Sequence, residues 1–193
     1  YLFNGNMASG KTLLLNLLSR KLTNYDGKID YEGKDLNSYS KYNYNNDFKY
    51  VKQTMKAPYF KTVETYIKAI ASNNNNNSEK AFKNIVKIMD FKYMINCKMR
   101  DLSPGQLRWV DLAAKISSFP KVIFIDELEL HLSITKIKSL CKILYRKVNY
   151  EGVTVIATTQ NKDLFHSLSS INININNGRI TSIRSKPKMR KNT

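Results

Sequence analysis

Apolar residues fall along this chain in two kinds of pattern, and the two alternate. "KVIFID" at 121–126 and "VTVIATT" at 153–159 are nearly unbroken apolar runs, the pattern of parallel strands covered on both faces. "YLF" at 1–3 reads as the end of another buried strand, and "FKYVKQ" at 48–53 as a short strand leading into a loop through Pro58. "TLLLNLLSRKL" at 12–22 and "SITKIKSLCKILYRKV" at 133–148 predict helices, the second amphipathic, and another helix is predicted after Gln106. From Val63 to about Met99 the pattern stays helical, as "VETYIKAIAS" and "SEKAFKNIVKIMDF", with the low-complexity run Asn73–Asn77 as the loop between them. "GKIDYEGKDL" has a strand–turn–strand look about Gly33, and "INININNGRITSI" alternates with period two about Asn177-Gly178, a hairpin signal. Strands alternating with helices predict an α/β fold. Its sheet is mainly parallel and flanked by helices, with an inserted helical subdomain at approximately 63–99 and a C-terminal β-hairpin.

Between the first strand and the first helix stands Gly5-Asn6-Met7-Ala8-Ser9-Gly10-Lys11-Thr12, which fits the template Gly, four residues, Gly, Lys, Ser or Thr. Gly5 and Gly10 permit backbone angles that a side chain would forbid, so successive amides can turn inward onto phosphate oxygens. Lys11 supplies a compact positive charge to the β- and γ-phosphates, and Thr12 a hydroxyl to Mg2+. The helix that follows presents its N-terminus to the anion. All eight residues are candidate nucleotide ligands.

Length, charge and cysteines narrow the class. The 193 residues suit one domain, with no apolar run long enough to cross a bilayer. The chain opens on Tyr1, already inside a strand, and reads as an N-terminally truncated domain. A net charge of +17 raises a nucleic-acid partner, but the lysines are spread along the chain and only the tail "RSKPKMRKNT" is a local cluster. No specific nucleic acid is expected. The tyrosines and Trp109 form no stripe and read as packing residues. Cys97 and Cys141 stand apart and read as free thiols, His131 reads as a surface histidine, and His166 lies too far past Gln160 to take that position by a register shift.

"VIFIDE" places Asp126 at the carboxyl end of a buried strand, where a carboxylate can reach Mg2+, and Glu127 beside it, where it can orient or deprotonate a water. An apolar run ending in Asp-Glu is weak by itself; its weight comes from "LSPGQ" at 102–106, upstream and just before a helix. With these residues the chain resembles the nucleotide-binding subunit of an ATP-binding cassette (ABC) protein, a P-loop NTPase. Leu102-Ser103-Pro104-Gly105-Gln106 resembles the family signature. Gln53 resembles the Gln that links the catalytic core to the helical subdomain. Gln160, after "VTVIATT", stands at the switch-histidine position, and "INININNGRI" resembles the late Asn-Gly-Arg hairpin.

The resemblance implies a mechanism. Two cassettes face head to tail, so that Ser103, Gly105 and Gln106 of one close on ATP held by the phosphate loop of the other. Thr12, Gln53 and Asp126 hold Mg2+, while Glu127, Gln160 and Gln53 carry catalysis. It implies a transporter subunit, peripheral to the membrane on its cytoplasmic or organelle-matrix face, paired with a second cassette in a homo- or heterodimer and with transmembrane subunits. Compact length looks most like small single-cassette ATPases, including the haem-export type. Alternatives are a soluble ABC ATPase of the iron–sulfur or translation-factor type, or a degenerate half of a heterodimer. Departures from the family pattern point to slow turnover: Ala8 for a loop glycine, Pro104 for a signature glycine, Leu128 for Pro, Ser133 for Asp, Gln160 for His, and Leu107 and Trp109 beside Arg108.

Overall fold

Alternate residues of strand β5, Val122–Ile125, enter two different hydrophobic cores. Ile123 and Ile125 join Val51, Val155 and Ala157 under a layer of four helices: α3 (Val63–Ala71), α4 (Ser78–Met89), α5 (Pro104–Ser117) and α6 (Ile134–Glu151). Val122 and Phe124 face the other way, onto Phe3, Phe48, Ile175 and Leu15 of helix α1 (Lys11–Leu18). Burial on both faces is the reason the run is apolar without alternation. The computed structural model describes residues 1–72, 78–165 and 168–186; the expected loop at Asn73–Asn77, His166 and the end of the basic tail lie outside the described residues.

Six strands form the main sheet in the order β4-β5-β6-β1-β7-β8, with β1 at Leu2–Asn4, β4 at Phe48–Val51, β6 at Thr154–Thr159, β7 at Ile171–Asn176 and β8 at Arg179–Ser185. All neighbours pair parallel except β7 and β8, the expected hairpin. Register runs Val51 beside Ile125, Ile125 beside Ala157, and Asn4 beside Thr159. Parallel strands end on one edge, so Gly5, Gln53, Asp126 and Gln160 all leave the sheet on the same side, where open α/β sheets bind ligands. A two-stranded ribbon, β2 (Asp30–Tyr31) with β3 (Lys34–Asp35), turns through Gly33 at φ 76°.

Two boundaries differ from the sequence expectation. The first helix stops at Leu18, because Arg20 takes φ 51° and the amides of Lys21 and Leu22 both return to the Asn16 carbonyl. The signature helix starts at Pro104 rather than after Gln106, with Ser103 as its N-cap. A short helix, α2 (Lys41–Asp47), has no hydrophobic stripe to announce it; none of its residues is buried, and the Ser40 hydroxyl accepts from the Asn43 amide to start it.

Candidate functional site

The phosphate loop is folded by its two glycines. A Cβ on Gly5 would stand 2.2 Å from the Ile175 carbonyl oxygen, so only glycine lets the loop lie against β7. Gly10 has φ 101°, and the loop is tied to the hairpin turn by Gly178 N–H donating to the Ser9 carbonyl at 2.9 Å. Ala8 holds φ 60°, a left-handed conformation costing a Cβ residue about 1–2 kcal/mol, which is the physical sense of glycine at that place. Asn6, Met7 and Ala8 are exposed along the outside of the loop, whereas Ser9 is buried. Lys11, although a cation, is 5% exposed; its ammonium donates to the carbonyls of Gly5 and Asn6, both at 2.7 Å, and to Ser9 Oγ at 3.4 Å. These neutral acceptors hold the charge inside the loop.

From Thr12 a line of hydrogen bonds crosses the strand ends. Gln53 Nε2 donates to Thr12 Oγ1 at 3.2 Å, and Thr12 Oγ1 donates to Asp126 Oδ1 at 3.1 Å. Thr158 donates to the same Asp126 oxygen at 2.7 Å and accepts from the Glu127 amide at 2.7 Å. Glu127 Oε1 then accepts from Gln160 Nε2 at 2.6 Å. The three residues expected at the metal are thus gathered at one point. A hydroxyl, an amide oxygen and a single carboxylate suit a hard cation whose shell is completed by phosphates and water. Among the described residues no cluster of three or more His, Cys, Asp or Glu forms a self-sufficient metal cage.

Glu127 has φ 51°, an uncommon angle for a residue with a side chain and one that occurs where surrounding structure enforces it. The enforcement is visible. Buried Arg108, from α5, donates to the carbonyls of Asp126 at 2.7 Å and Glu127 at 2.8 Å, and also to the carbonyl of Lys52, next to Gln53. Burial lowers the proton affinity of this guanidinium, while Asp111, Asp126, Glu127 and Glu129 partly restore it.

The signature residues lie elsewhere. Ser103 is exposed, and its hydroxyl accepts from the Gln106 amide at 3.3 Å while Gln106 Oε1 accepts from Ser103 N–H at 2.9 Å, a reciprocal capping box. Among the described residues no hydrogen bond joins Ser103, Gly105 or Gln106 to the phosphate loop of the same chain. Pro104 sits in the first helical turn, where its missing N–H costs nothing, so the departure from glycine is accommodated. Gly105 has no such latitude: a Cβ would stand 2.7 Å from the His131 carbonyl oxygen. Ser133 caps α6 by accepting from the Lys136 amide at 3.4 Å, the exposed His131 contributes its backbone, and Leu128 is fully buried. Three residues that the sequence reading passed over belong to the site: Thr158, the carbonyl-binding role of Arg108, and Glu129, whose Oε1 accepts from the Thr159 hydroxyl and the Gln160 amide. A threonine in a β-branched run and a carboxylate in a loop carry no local signal of such roles.

Known proteins resemble the chain in sequence and in fold. The family model described as ABC transporter matches residues 1–129, about two thirds of the chain. A putative hemin import ATP-binding protein, HrtA of Staphylococcus epidermidis, is 24% identical over 170 residues, covering 85% of this chain and 77% of its own. The lipoprotein-releasing system ATP-binding protein LolD of Wigglesworthia glossinidia brevipalpis is 29% identical over 185 residues, covering 91% and 80%. Among solved structures, a dimeric ATP-binding cassette in a post-hydrolysis state with ADP and Pi superposes with a TM-score of 0.84 at 16% identity, covering 95% of this chain and 84% of that one. CbiO1 of Clostridium perfringens, part of the transporter complex CbiONQ, gives a TM-score of 0.77 at 19% identity, covering 95% and 76%. Because the matched segment carries the phosphate loop, the signature and the acidic strand end together, the chain belongs to the ABC transporter family, as one of its ATP-binding, ATP-hydrolysing subunits.

Proposed function

We propose that this subunit binds Mg·ATP at the edge where β1, β4, β5 and β6 end, closes on a second cassette through its signature, and hydrolyses the nucleotide slowly to drive a membrane partner. The observation that carries the reading is the unbroken run of contacts from Gln53 through Thr12, Asp126, Thr158 and Glu127 to Gln160. Lys11 leaves its carbonyls for the β- and γ-phosphates, and the loop amides accept the remaining phosphate charge. Thr12, Gln53 and Asp126 are the residues that would hold Mg2+, which when bound neutralises charge on the phosphates. Glu127 orients and deprotonates the attacking water, and Gln160 donates its amide to the γ-phosphate.

Residues 63–99 act on this reading as a helical subdomain. Its ends are clasped by Val63 N–H to the Cys97 carbonyl at 3.0 Å and Met99 N–H to the Lys61 carbonyl at 2.8 Å, as suits an insertion that moves as a body. No helix among the described residues is long and apolar enough to cross a membrane. Relatives are named for hemin import and for lipoprotein release, which suits a cassette that supplies force while its membrane partner selects the cargo.

Nucleotide titration tests the binding. With Mg2+ present, Lys11→Ala should weaken ATP binding by about tenfold or more, the loss of one charge-assisted phosphate contact. Equal affinity in the two proteins would sink the assignment.

A further inference from the structure

Gln160 is held between two carboxylates. Its side-chain amide donates to Glu127 Oε1 at 2.6 Å, and its backbone N–H donates to Glu129 Oε1 at 2.8 Å. The same Glu129 oxygen accepts from the Thr159 hydroxyl at 2.9 Å. Its other oxygen, Oε2, is buried with no hydrogen-bond partner, and so is Nε of Arg108 beneath the same turn. Burying a carboxylate oxygen unpaired is unfavourable, so the side chain is kept in place by what Oε1 holds. Glu129 lies in a tight turn with Glu127 at φ 51° and His131 at φ 60°, closed by Leu130 N–H to the Glu127 carbonyl and Leu132 N–H to the Glu129 carbonyl. The turn that carries the hydrolytic carboxylate is therefore fastened to the tip of β6 by a side chain, as well as by Leu128 N–H to the Thr158 carbonyl at 3.0 Å.

We infer that Glu129 is a positioning residue for hydrolysis: it anchors the backbone of Gln160, so that the Gln160 side chain passes between Glu127 and the γ-phosphate on a fixed pivot. This rests on the proposed roles of Glu127 and Gln160. In the structure the Gln160 amide is engaged by Glu127; to reach a phosphate it must let go and swing about its own side-chain torsions. A pivot pinned to Glu129 confines that motion to a few rotamers. An unpinned pivot lets the residue drift, and a displacement of about 1 Å at a reacting group costs on the order of a hundredfold in rate. One carboxylate thus fixes the residue while the other releases it. Only Oε1 takes part in the anchor, so a neutral amide of the same shape can replace the carboxylate.

The experiment uses the full-length protein and five variants, Glu129→Ala, Glu129→Gln, Gln160→Ala, Glu129→Ala with Gln160→Ala, and Glu127→Gln, reading ATP hydrolysis, ATP affinity and, where residue 160 is unchanged, hydrogen exchange at the Gln160 amide. Glu129→Ala should lower kcat by about a hundredfold with little change in ATP affinity. Exchange at the Gln160 amide should quicken about tenfold or more. Glu129→Gln should restore both, since its amide oxygen accepts the same two bonds. When Gln160 is already alanine, removing Glu129 should cost little more in kcat, because no side chain is left to position. Losses that add in the double variant, or an unchanged Gln160 exchange rate in Glu129→Ala, would overturn the anchor. The underlying reading fails separately: if Glu127→Gln hydrolyses ATP at the wild-type rate while the exchange results hold, Glu127 is not the base and the anchor stands.

Discussion

Thr158 links the metal side of the site to the hydrolytic side. Its hydroxyl donates a hydrogen bond to Asp126 and accepts one from the Glu127 amide, both at 2.7 Å, and Leu128 N–H closes on its carbonyl. One small side chain thereby sets the relative placement of the residues proposed for metal binding and for water activation. Next along the same strand end stands Gln160. Its amide can donate a hydrogen bond but carries no charge, so in the proposed role it would stabilise a transferring phosphoryl group less than an imidazolium would. Gln160→His should therefore raise the hydrolysis rate by roughly tenfold to a hundredfold, with ATP affinity little changed. Steady-state ATPase measurement beside nucleotide titration checks it, and a histidine variant no faster than the wild type would show that position 160 does not limit turnover. The phosphate loop, Asp126 and Glu127 could be proposed beforehand because each belongs to a short motif of residues adjacent in the chain, and Gln160 only through the family resemblance. Thr158, Arg108 and Glu129 could not, because their partners are reached only across neighbouring strands and helices.

At the scale of elements, α5 connects the signature to the rest. Its first turn is set by the Ser103–Gln106 capping box with Pro104 inside it, and from its fourth residue, Leu107, onward its apolar side chains join the core that α3 and α4 share. Between α3 and α5 lies a buried polar contact: Tyr66 donates to Asp111 Oδ1 at 2.7 Å, while Lys115 donates to Asp111 Oδ2 at 2.6 Å. Burial lowers the proton affinity of the Lys115 ammonium, and the Asp111 carboxylate beside it partly restores it. Tyr66→Phe would leave Oδ1 of an aspartate that is 1% exposed without its donor. The expected loss is about 1–3 kcal/mol of stability, seen as a lower urea midpoint with an unchanged slope. A midpoint that does not move would mean that water or another donor replaces the phenol. Helix periods foretold α3, α4 and α6, each with a buried stripe; α5, buried without a break from Arg108 to Ala114, was expected only as a helix after Gln106, and α2, with no buried residue, stayed hidden.

At the scale of the molecule, no hydrogen bond among the described residues joins the signature to the phosphate loop. Ser103 is exposed at the start of α5 with its hydroxyl turned to its own helix, so the γ-phosphate side of the loop is left for a second cassette to cover. Dimeric cassettes are known among structures that share this fold. With ATP bound and hydrolysis blocked, Glu127→Gln should accumulate a dimer that falls apart when nucleotide is removed, as sedimentation with and without ATP would register. Adding Ser103→Arg should abolish that dimer while leaving ATP binding in place, since the hydrogen bonds of Ser103 run to Gln106 and not to the loop of its own chain. A variant that stays monomeric at saturating ATP would make the partner a different chain, the reading to which Pro104 and Ser133 also lend themselves.

Local order was set by the chain itself. Apart from α2, apolar pattern decided which segments are strands and which are helices, and the motif spacings decided where phosphate, cation and water chemistry could sit, because both depend only on residues a few positions apart. Tertiary structure decided the rest. Thr12 meets Asp126 across 114 positions, Gln53 meets Thr12 across 41, and Gln160 meets Glu127 across 33. Those meetings follow from strand order and parallel register, which no local period encodes, since any order of covered parallel strands would read alike in the sequence. For the same physical reason the anchor from Glu129 to the Gln160 backbone became visible only when the ends of β5 and β6 lay side by side.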